Sequence, residues 1–148
     1  MCIIVDANVA GAFFAMSPND DVRVVIDWID YRGGKIVLGG RLTEELYSIR
    51  TARRWLSERQ RSGRAKLFRK MLVETEEQVV SASGLCKSDD PHVIALARVS
   101  GARVLMTRDM ELQKDFKCRL LVNNPRGAIY TSRSHRHLLR HTRSCGER

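Results

Sequence analysis

Short, uninterrupted apolar runs alternate along this chain with longer segments in which apolar residues recur every three or four positions. An unbroken apolar run predicts a strand buried on both faces, and the helical period predicts an amphipathic helix. The predicted strands cover 2–5, 35–38, 103–107 and 119–122. The predicted helices cover 8–16, about 20–32, 40 to about 63, 65 to about 83, 91–100 and 110–116. Strands separated by helices are typical of α/β proteins, so we predict a three-layer α/β/α sandwich with a mainly parallel sheet of four or five strands.

The length of 148 residues fits one ordinary domain. We assign 1–131 to that domain and 132–148 to a basic C-terminal tail rich in Arg and His. The tail has too few apolar residues to build its own core, so we expect it to be loosely attached or disordered.

The composition argues against several classes of protein. With 43% hydrophobic and 29% charged residues, the chain is not intrinsically disordered, and no apolar run approaches the ~20 residues that span a bilayer. The apolar start contains Asp6 and Asn8 and lacks a basic segment, so we expect no secretion signal. The four cysteines include no C-x-x-C pair and predict neither a zinc site nor a disulfide framework. We therefore expect a cytoplasmic protein with reduced thiols and no membrane partner.

The net charge of +9 is concentrated in two blocks. Nine basic residues and one acid occupy 50–70, and six arginines oppose one acid from 126 onward. Such blocks are typical of proteins that bind an anionic polymer. We expect four arginines of the first block to contact nucleic-acid backbone, namely Arg53, Arg54, Arg61 and Arg64. Docking of an acidic protein or of a second copy of the chain on this face is the competing interpretation.

Acidic residues follow the predicted strands at the edge where parallel α/β sheets place their functional sites. Asp6 comes directly after the first strand, and Asp109 follows the third strand after one intervening residue. Asp90 begins a predicted helix, because the Asp-Pro sequence at Asp90-Pro91 is a strong helix start. A single acid of this kind is usually a helix cap, but three that converge on one crevice indicate a site.

Helical phase selects the fourth acid from two neighbours, Glu44 and Glu45. Leu42, Leu46 and Ile49 centre the buried stripe of their helix, and successive residues advance by about 100°. Glu45 borders this stripe, whereas Glu44 points away from it. We therefore expect Glu45 to reach the site and Glu44 to face solvent.

Four clustered carboxylates repel one another unless a counter-charge is bound. Oxygen ligands without His or Cys favour Mg²⁺ or Mn²⁺ over zinc, and Mg²⁺ keeps open positions for phosphate oxygens. The pattern therefore indicates metal-dependent phosphodiester chemistry. Asp6 and Asp109 are the expected main ligands, with Asp90 and Glu45 completing the set directly or through water.

These residues, in this order, resemble the PIN-domain nucleases. The resemblance lies in VDANV at 5–9, EEL at 44–46 and DDPHVIALARVSGARVLMTRD at 89–109, and it covers about residues 1 to 130. It implies a PIN-like fold and a Mg²⁺- or Mn²⁺-dependent endoribonuclease whose catalytic acids are Asp6, Glu45, Asp90 and Asp109. Asn8 and Thr107 match positions that usually support such acids. The expected products carry 5′-phosphate and 3′-hydroxyl ends.

The resemblance also implies biological roles and partners. Many relatives are VapC-like toxins paired with a cognate antitoxin, so a toxin of such a pair, a defence nuclease and a homodimer are all consistent with it. The long basic stretch at 50–70 and the Arg/His-rich tail depart from the family pattern. Both leave the RNA substrate and the partner open.

Two other interpretations compete with a nuclease. A phosphatase with an aspartyl nucleophile would carry a second Asp two residues after the first, where this chain has Asn8. An RNA-binding module without catalysis, whose acids are structural, would explain the basic blocks equally well. Outside the site we place three groups: His92 at the surface or as a cap, Glu111 and Asp115 as surface pairs or caps, and the tail histidines His135, His137 and His141.

Overall fold

The computed structural model describes residues 2–140 and 145–146. Within them, five strands form one sheet in the order β3-β2-β1-β4-β5, and every neighbouring pair is parallel. The strands are β1 (Cys2–Val5), β2 (Lys35–Leu38), β3 (Ala65–Leu67), β4 (Val104–Met106) and β5 (Ala128–Ile129). All residues of the central strands β1 and β4 are buried, so helices cover both faces of the sheet. The predicted α/β/α sandwich with a parallel sheet is confirmed.

Seven α-helices and two 3₁₀ segments connect these strands in the described part of the chain. The helices are α1 (Ala10–Phe13), α2 (Asp20–Tyr31), α3 (Gly40–Tyr47), α4 (Arg50–Arg61), α5 (Lys70–Ala82), α6 (Pro91–Ser100) and α7 (Met110–Lys117). The 3₁₀ segments are Ala7–Val9 and Arg133–Arg140. None of the helices in these residues is both long and apolar enough to cross a membrane.

The start of α3 is packed closely against α5 and α6. Gly40 adopts a left-handed φ of 57°, which favours glycine. A Cβ atom at Gly39 would lie 2.9 Å from side-chain atoms of Val73 on α5 and Leu96 on α6. Because larger residues would push these helices apart, the glycine pair brings α3 close enough for its side chains to reach α6.

Two predicted elements are wrong near the edges of the sheet. The segment Ala65–Leu67, predicted as helix, is the edge strand β3, and the Phe68 amide donates to the Leu38 carbonyl. The predicted strand at 119–122 is instead a turn, whose Leu121 and Val122 are buried in the core. The fifth strand is Ala128–Ile129, a pair too short to give a sequence signal. An apolar run therefore predicts that a segment is buried, but it does not predict whether the backbone of that segment forms a strand or a turn.

The described part of the tail is attached, contrary to the expectation of a loose segment. The segment Arg133–Arg140 packs against α2, Leu139 is buried, and the Arg133 amide donates to Asp21 Oδ1 at 2.9 Å. Cys145 forms a disulfide with Cys2 across a Cα–Cα distance of 6.0 Å. The expectation of four reduced thiols is therefore wrong for this pair, while Cys86 and Cys118 are free. His141 lies outside the described residues.

Candidate active site

The register of the two central strands brings Asp6 and Asp109 to the same edge of the sheet. Val5 of β1 pairs with Met106 of β4, and the Asp6 amide donates to the Met106 carbonyl at 3.0 Å. Asp6 therefore lies directly after β1, beside the end of β4, from which the chain continues to Asp109. This is the carboxyl edge of the sheet, as the sequence predicted.

Asp6 is buried, with 4% of its surface exposed. Its Oδ2 accepts a hydrogen bond from Thr107 Oγ1 at 2.7 Å, and its Oδ1 accepts one from the Ala7 amide at 2.8 Å. Burial raises the pKa of the Asp6 carboxyl, the two hydrogen bonds oppose this rise, and the nearby charge of Asp90 adds to it. The carboxylate is thus held in place but costs free energy when it ionises without a cation.

Asn8 and Thr107 join Asp6 to the turn that carries Asp109. Asn8 Nδ2 donates to Thr107 Oγ1 at 3.1 Å, and Asn8 Oδ1 accepts from the Arg108 amide at 3.1 Å. The Asp109 amide also donates to Thr107 Oγ1, at 3.1 Å. The structure therefore places both residues where they can support the acids, although neither needs to contact a substrate.

Asp109 serves first as the N-cap of α7. Its Oδ1 accepts hydrogen bonds from the amides of Glu111 at 2.9 Å and Leu112 at 3.2 Å. This bonding fixes the orientation of the carboxylate, since capping oxygens are held by the first turn of the helix. Its other oxygen has no hydrogen-bond partner within the described residues, so it is free for a cation.

Glu45 and Asp90 meet at a buried histidine. His92 on α6 is 1% exposed, and its Nε2 lies 2.7 Å from Glu45 Oε1, although the two atoms are not in hydrogen-bond geometry. The other ring nitrogen, Nδ1, is 4.0 Å from Asp90 Oδ1. The prediction that His92 lies at the surface is wrong, because α6 is buried over most of its circumference. His92 is therefore a part of the site that the sequence did not reveal.

Electrostatic interactions link Asp90 to the other three acids. Burial raises the pKa of Asp90 most, the neighbouring His92 lowers it, and the negative charges of Glu45, Asp109 and Asp89 raise it further. Asp90 in turn raises the pKa of Asp6. Asp90 is therefore close enough to Asp6, Glu45 and Asp109 for their charges to interact, which places the four acids in one region at the carboxyl edge of the sheet.

The two neighbouring glutamates of α3 differ as their helical phase predicted. Glu45 has 35% of its side chain exposed and contacts His92, whereas Glu44 has 63% exposed. Glu44 forms an ion pair with Lys70 on α5 at 3.3 Å, outside the acid cluster. The predicted helix register is therefore confirmed at this position.

Asp115 is a second residue that the sequence interpretation missed. It is 2% exposed and accepts hydrogen bonds from the amides of Lys87, at 3.0 Å, and Ser88, at 2.8 Å, and from the Cys86 thiol, at 3.2 Å. Ser88 Oγ then accepts from the Asp90 amide at 3.3 Å. Asp115 thus holds the loop that carries Asp90, and its predicted surface role is wrong.

A periodic signal for Asp115 existed. Leu112, Asp115 and Phe116 lie three and four residues apart and form the buried stripe of α7. A carboxylate at that spacing must find hydrogen-bond donors. Glu111, which points away from the stripe and pairs with Lys114 at 3.8 Å, behaves as the sequence predicted.

The four acids are not spaced to hold a metal ion in this structure. In the part of the chain that the structure describes, no three His, Cys, Asp or Glu side chains form a group already spaced to hold a metal ion. The chemistry of the donors nevertheless suits a hard divalent cation, because all four are carboxylates and Glu45 Oε1 is buried without a hydrogen bond. A cation that drew these carboxylates together would also remove their mutual repulsion.

The basic helix α4 exposes three of the four predicted arginines, Arg53, Arg54 and Arg61, while Arg64 is half-buried just before β3. Arg54 has 85% of its side chain exposed and only a long contact of 3.9 Å to Glu58.

Arg59 differs, because it pairs with Asp30 at 3.1 Å and stacks over Trp55 at 4.1 Å. The exposed face thus carries cations that are available to a partner, whereas Arg59 stabilises the fold.

The edge of the sheet therefore combines buried carboxylates, a fixed helix cap and a histidine, with a basic helix on the same domain. Comparison with models of protein families, with curated proteins and with solved structures finds no match. The geometry and chemistry of these residues are accordingly the basis for a function.

Proposed function

We propose that this protein is a divalent-metal-dependent endoribonuclease of the PIN-domain type, a hydrolase that cuts RNA phosphodiester bonds. The observation that supports this most is the position of Asp6 and Asp109 after two adjacent strands at the carboxyl edge of the sheet, with Glu45 and Asp90 both beside His92. Perturbed carboxylates gathered in a crevice are typical of functional sites. Structural acids are normally paired with Lys or Arg, and among the described residues no Lys or Arg forms an ion pair with any of these four.

The donor set fits Mg²⁺ or Mn²⁺. Asp6 and Asp109 would be the main ligands of the ion, and Asp90 and Glu45 would complete the set. When bound, such an ion supplies positive charge to the scissile phosphate and lowers the pKa of a water molecule. The Glu45 Oε1 atom is buried and accepts no hydrogen bond from any described residue, so a bound cation would stabilise it most among these ligand atoms.

The residues around the acids orient them. Thr107 holds Asp6 from one side, and Asn8 fixes the turn that leads to Asp109. His92 lies against the carboxylate of Glu45, and Asp115 fixes the loop before Asp90. Each acid is thus positioned by a group on a different element, which is the arrangement that a pre-organised site requires.

The exposed arginines of α4 provide the second half of the proposal. A cluster of cations without balancing acids binds phosphates and concentrates a polyanion near the protein. α4 ends just before β3 begins, so Arg61 and Arg64 lie toward the amino edge of the sheet. Arg53 and Arg54 lie earlier in the helix, toward the acidic edge, and they are the better placed pair for RNA that enters the site.

An RNA-binding module without catalysis is the second candidate, because the basic face would be equally useful to it. The two functions differ in their need for metal. Purified protein should cleave labelled RNA in Mg²⁺ or Mn²⁺, stop in EDTA and resume when the metal is restored, leaving 5′-phosphate ends. Binding of RNA that is unchanged by metal, with intact RNA under all three conditions, would support the binding module and contradict the nuclease.

A further inference from the structure

A cavity of about 130 Å³ opens beside the acid cluster, between α1, the start of α2 and the turn after β4. Its lining includes the apolar side chains of Val9, Ala12, Val22 and Met106. Thr107 and Arg108 also line it. The volume is below the roughly 300–1,000 Å³ of sites for drug-sized ligands, so it suits a single planar ring system.

Thr107 separates this cavity from the proposed catalytic acids. It lines the cavity, and its hydroxyl donates to Asp6 at 2.7 Å. A ligand in the cavity therefore lies one side chain away from the carboxylate of Asp6. For a nucleic-acid chain whose phosphate is at the acids, this is the position of a neighbouring base.

Arg108 lines the cavity and is exposed, and its backbone is held by a hydrogen bond while its guanidinium is unpaired among the described residues. The Arg108 amide donates to Asn8 Oδ1 at 3.1 Å, while the exposed guanidinium has no ion pair or hydrogen bond with any residue that the structure describes. Arg98, by contrast, is paired with Glu76 at 2.7 Å. A free guanidinium on a rigid backbone, directly before Asp109, is suited to bidentate contact with a phosphate.

The residues that line the cavity also include a hydrogen-bond acceptor, the carboxylate of Asp21. Asp21 lies at the start of α2, and its Oδ1 accepts from the Arg133 amide at 2.9 Å. This bond fixes the carboxylate, whose second oxygen can accept from an amino group. A carboxylate favours bases that carry an exocyclic amino group and disfavours uracil, whose edges present mainly carbonyl oxygens.

We infer that this cavity binds one base of the RNA substrate next to the scissile phosphate, with Arg108 on the adjoining phosphate and Asp21 selecting adenine, cytosine or guanine over uracil. The inference rests on the proposed ribonuclease function, because that function supplies the RNA. The apolar side chains of the lining accommodate the faces of the ring, and the Asp21 carboxylate contacts the polar groups on its edge. The cavity would thereby give the enzyme a base preference at one position beside the cut.

The test uses nucleoside 5′-monophosphates as probes, titrated in EDTA and followed by NMR. AMP, CMP and GMP should bind more tightly than UMP. Ala12→Leu, which fills the cavity, should weaken AMP binding at least tenfold. Ala82→Leu, at an exposed position at the end of α5, should not change it. Arg108→Gln should weaken AMP more than adenosine, and Arg32→Gln, at the amino edge of the sheet, should alter neither.

Two outcomes separate the inference from the function on which it rests. If RNA is cut but neither Ala12→Leu nor Arg108→Gln changes nucleotide binding, the cavity is not the base site and the nuclease stands. If nucleotides bind as expected but wild-type protein cuts no RNA in Mg²⁺ or Mn²⁺, the nuclease is wrong and the cavity remains a nucleotide site. Arg108 is exposed, so its variant keeps the test valid if Ala12→Leu fails to fold.

Discussion

His92 Nε2 on α6 lies 2.7 Å from Glu45 Oε1 on α3, although 47 positions separate the two residues in the sequence. This contact depends on the close packing of α3 that Gly39 and Gly40 permit. The same contact distinguishes the two adjacent glutamates of α3, of which we assign only one to the site. Glu45 is turned toward the acids, and Glu44 is turned toward Lys70.

Substitution of each glutamate should therefore have a different effect. Glu45→Gln removes the charge of a proposed metal ligand and should lower the rate of RNA cleavage by at least about 100-fold, the upper range for loss of an outer partner of a ligand. Glu44→Gln removes only an exposed ion pair and should keep most of the activity. Single-turnover cleavage rates at saturating Mg²⁺ provide the comparison. Equal losses in the two variants would contradict the assignment of Glu45.

Asp115 should stabilise the protein in a pH-dependent manner. Burial alone would raise the pKa of this carboxyl, but hydrogen bonds from Lys87, Ser88 and Cys86 outweigh it and hold the pKa below its ordinary value of 3.8. The stabilisation is then present above pH 3.8 and is lost as the pH falls through the lower, folded-state pKa. Asp115→Asn should cost about 1–3 kcal/mol at pH 7, and the difference from wild type should shrink below about pH 3.8.

Urea unfolding at pH 7, 5, 4 and 3 measures this difference. Glu111→Gln, on the exposed face of the same helix, is the matched control and should show almost no change at any pH. A difference between wild type and Asp115→Asn that is constant from pH 7 to 3 would mean that the carboxylate is not bonded as the structure shows.

The disulfide makes a simple chemical prediction. Alkylation of the denatured, unreduced protein should label Cys86 and Cys118 only, and reduction should raise the count from two thiols to four. Cys145→Ser should lower the free energy of unfolding by about 2–5 kcal/mol, because the bond closes most of the chain into one loop. Mass spectrometry counts the labels. Four labelled thiols before reduction would show that the bond does not form.

The arginines of α4 should act through RNA backbone. Arg53→Gln with Arg54→Gln should weaken RNA binding across sequences and flatten its log–log salt dependence by roughly 0.7 for each phosphate that the variant no longer binds. Arg61→Gln with Arg64→Gln should have a smaller effect on RNA affinity and on its salt dependence, since these residues lie toward the amino edge of the sheet. Fluorescence anisotropy over a range of salt concentrations gives both quantities.

A matched control removes two charges elsewhere. Arg32→Gln with Lys35→Gln, at the amino edge of the sheet, should leave the salt dependence nearly unchanged. If RNA affinity survives in all of these variants and the α4 changes instead alter sedimentation or capture of an acidic antitoxin, the basic helix binds protein. That result would contradict its assignment to RNA.

The central part of the fold could be predicted from local pattern. The strands at 2–5 and 35–38 match the sequence prediction, because each is a solid apolar run that the sheet buries on both faces. The acids could also be selected from local pattern, since Asp6 and Asp109 follow predicted strands, Asp90 begins a predicted helix and Glu45 borders the buried stripe of its helix. The three-residue strand at 65–67 could not, because basic residues surround it and its partner β2 lies far away in the sequence.

Non-local contacts explain the other misses. His92 follows a helix start, and only the packing of α6 against α3 shows that it is buried beside Glu45. The disulfide joins Cys2 to Cys145, so it depends on the return of the tail to β1. Asp115 is different, because its helical phase with Leu112 was present in the sequence.

The raised pKa of Asp6 supplies a check on folding for the central experiment. Because the pKa is raised above 3.8, ionisation of Asp6 costs stability as the pH rises through the folded-state value. Asp6→Asn should therefore be at least as stable as wild type at pH 7 in EDTA. Asp27→Asn on α2, outside the acid cluster, is the matched control for the same chemical change.

The rate of Mg²⁺-dependent RNA cleavage by Asp6→Asn, measured beside wild type and Asp27→Asn, tests the nuclease site most directly. The proposed function predicts cleavage by wild type and Asp27→Asn, and a loss in Asp6→Asn greater than the roughly 10–100-fold that removal of an outer partner of a metal ligand costs. A folded Asp6→Asn protein that cleaves RNA as fast as wild type would contradict the assigned active site.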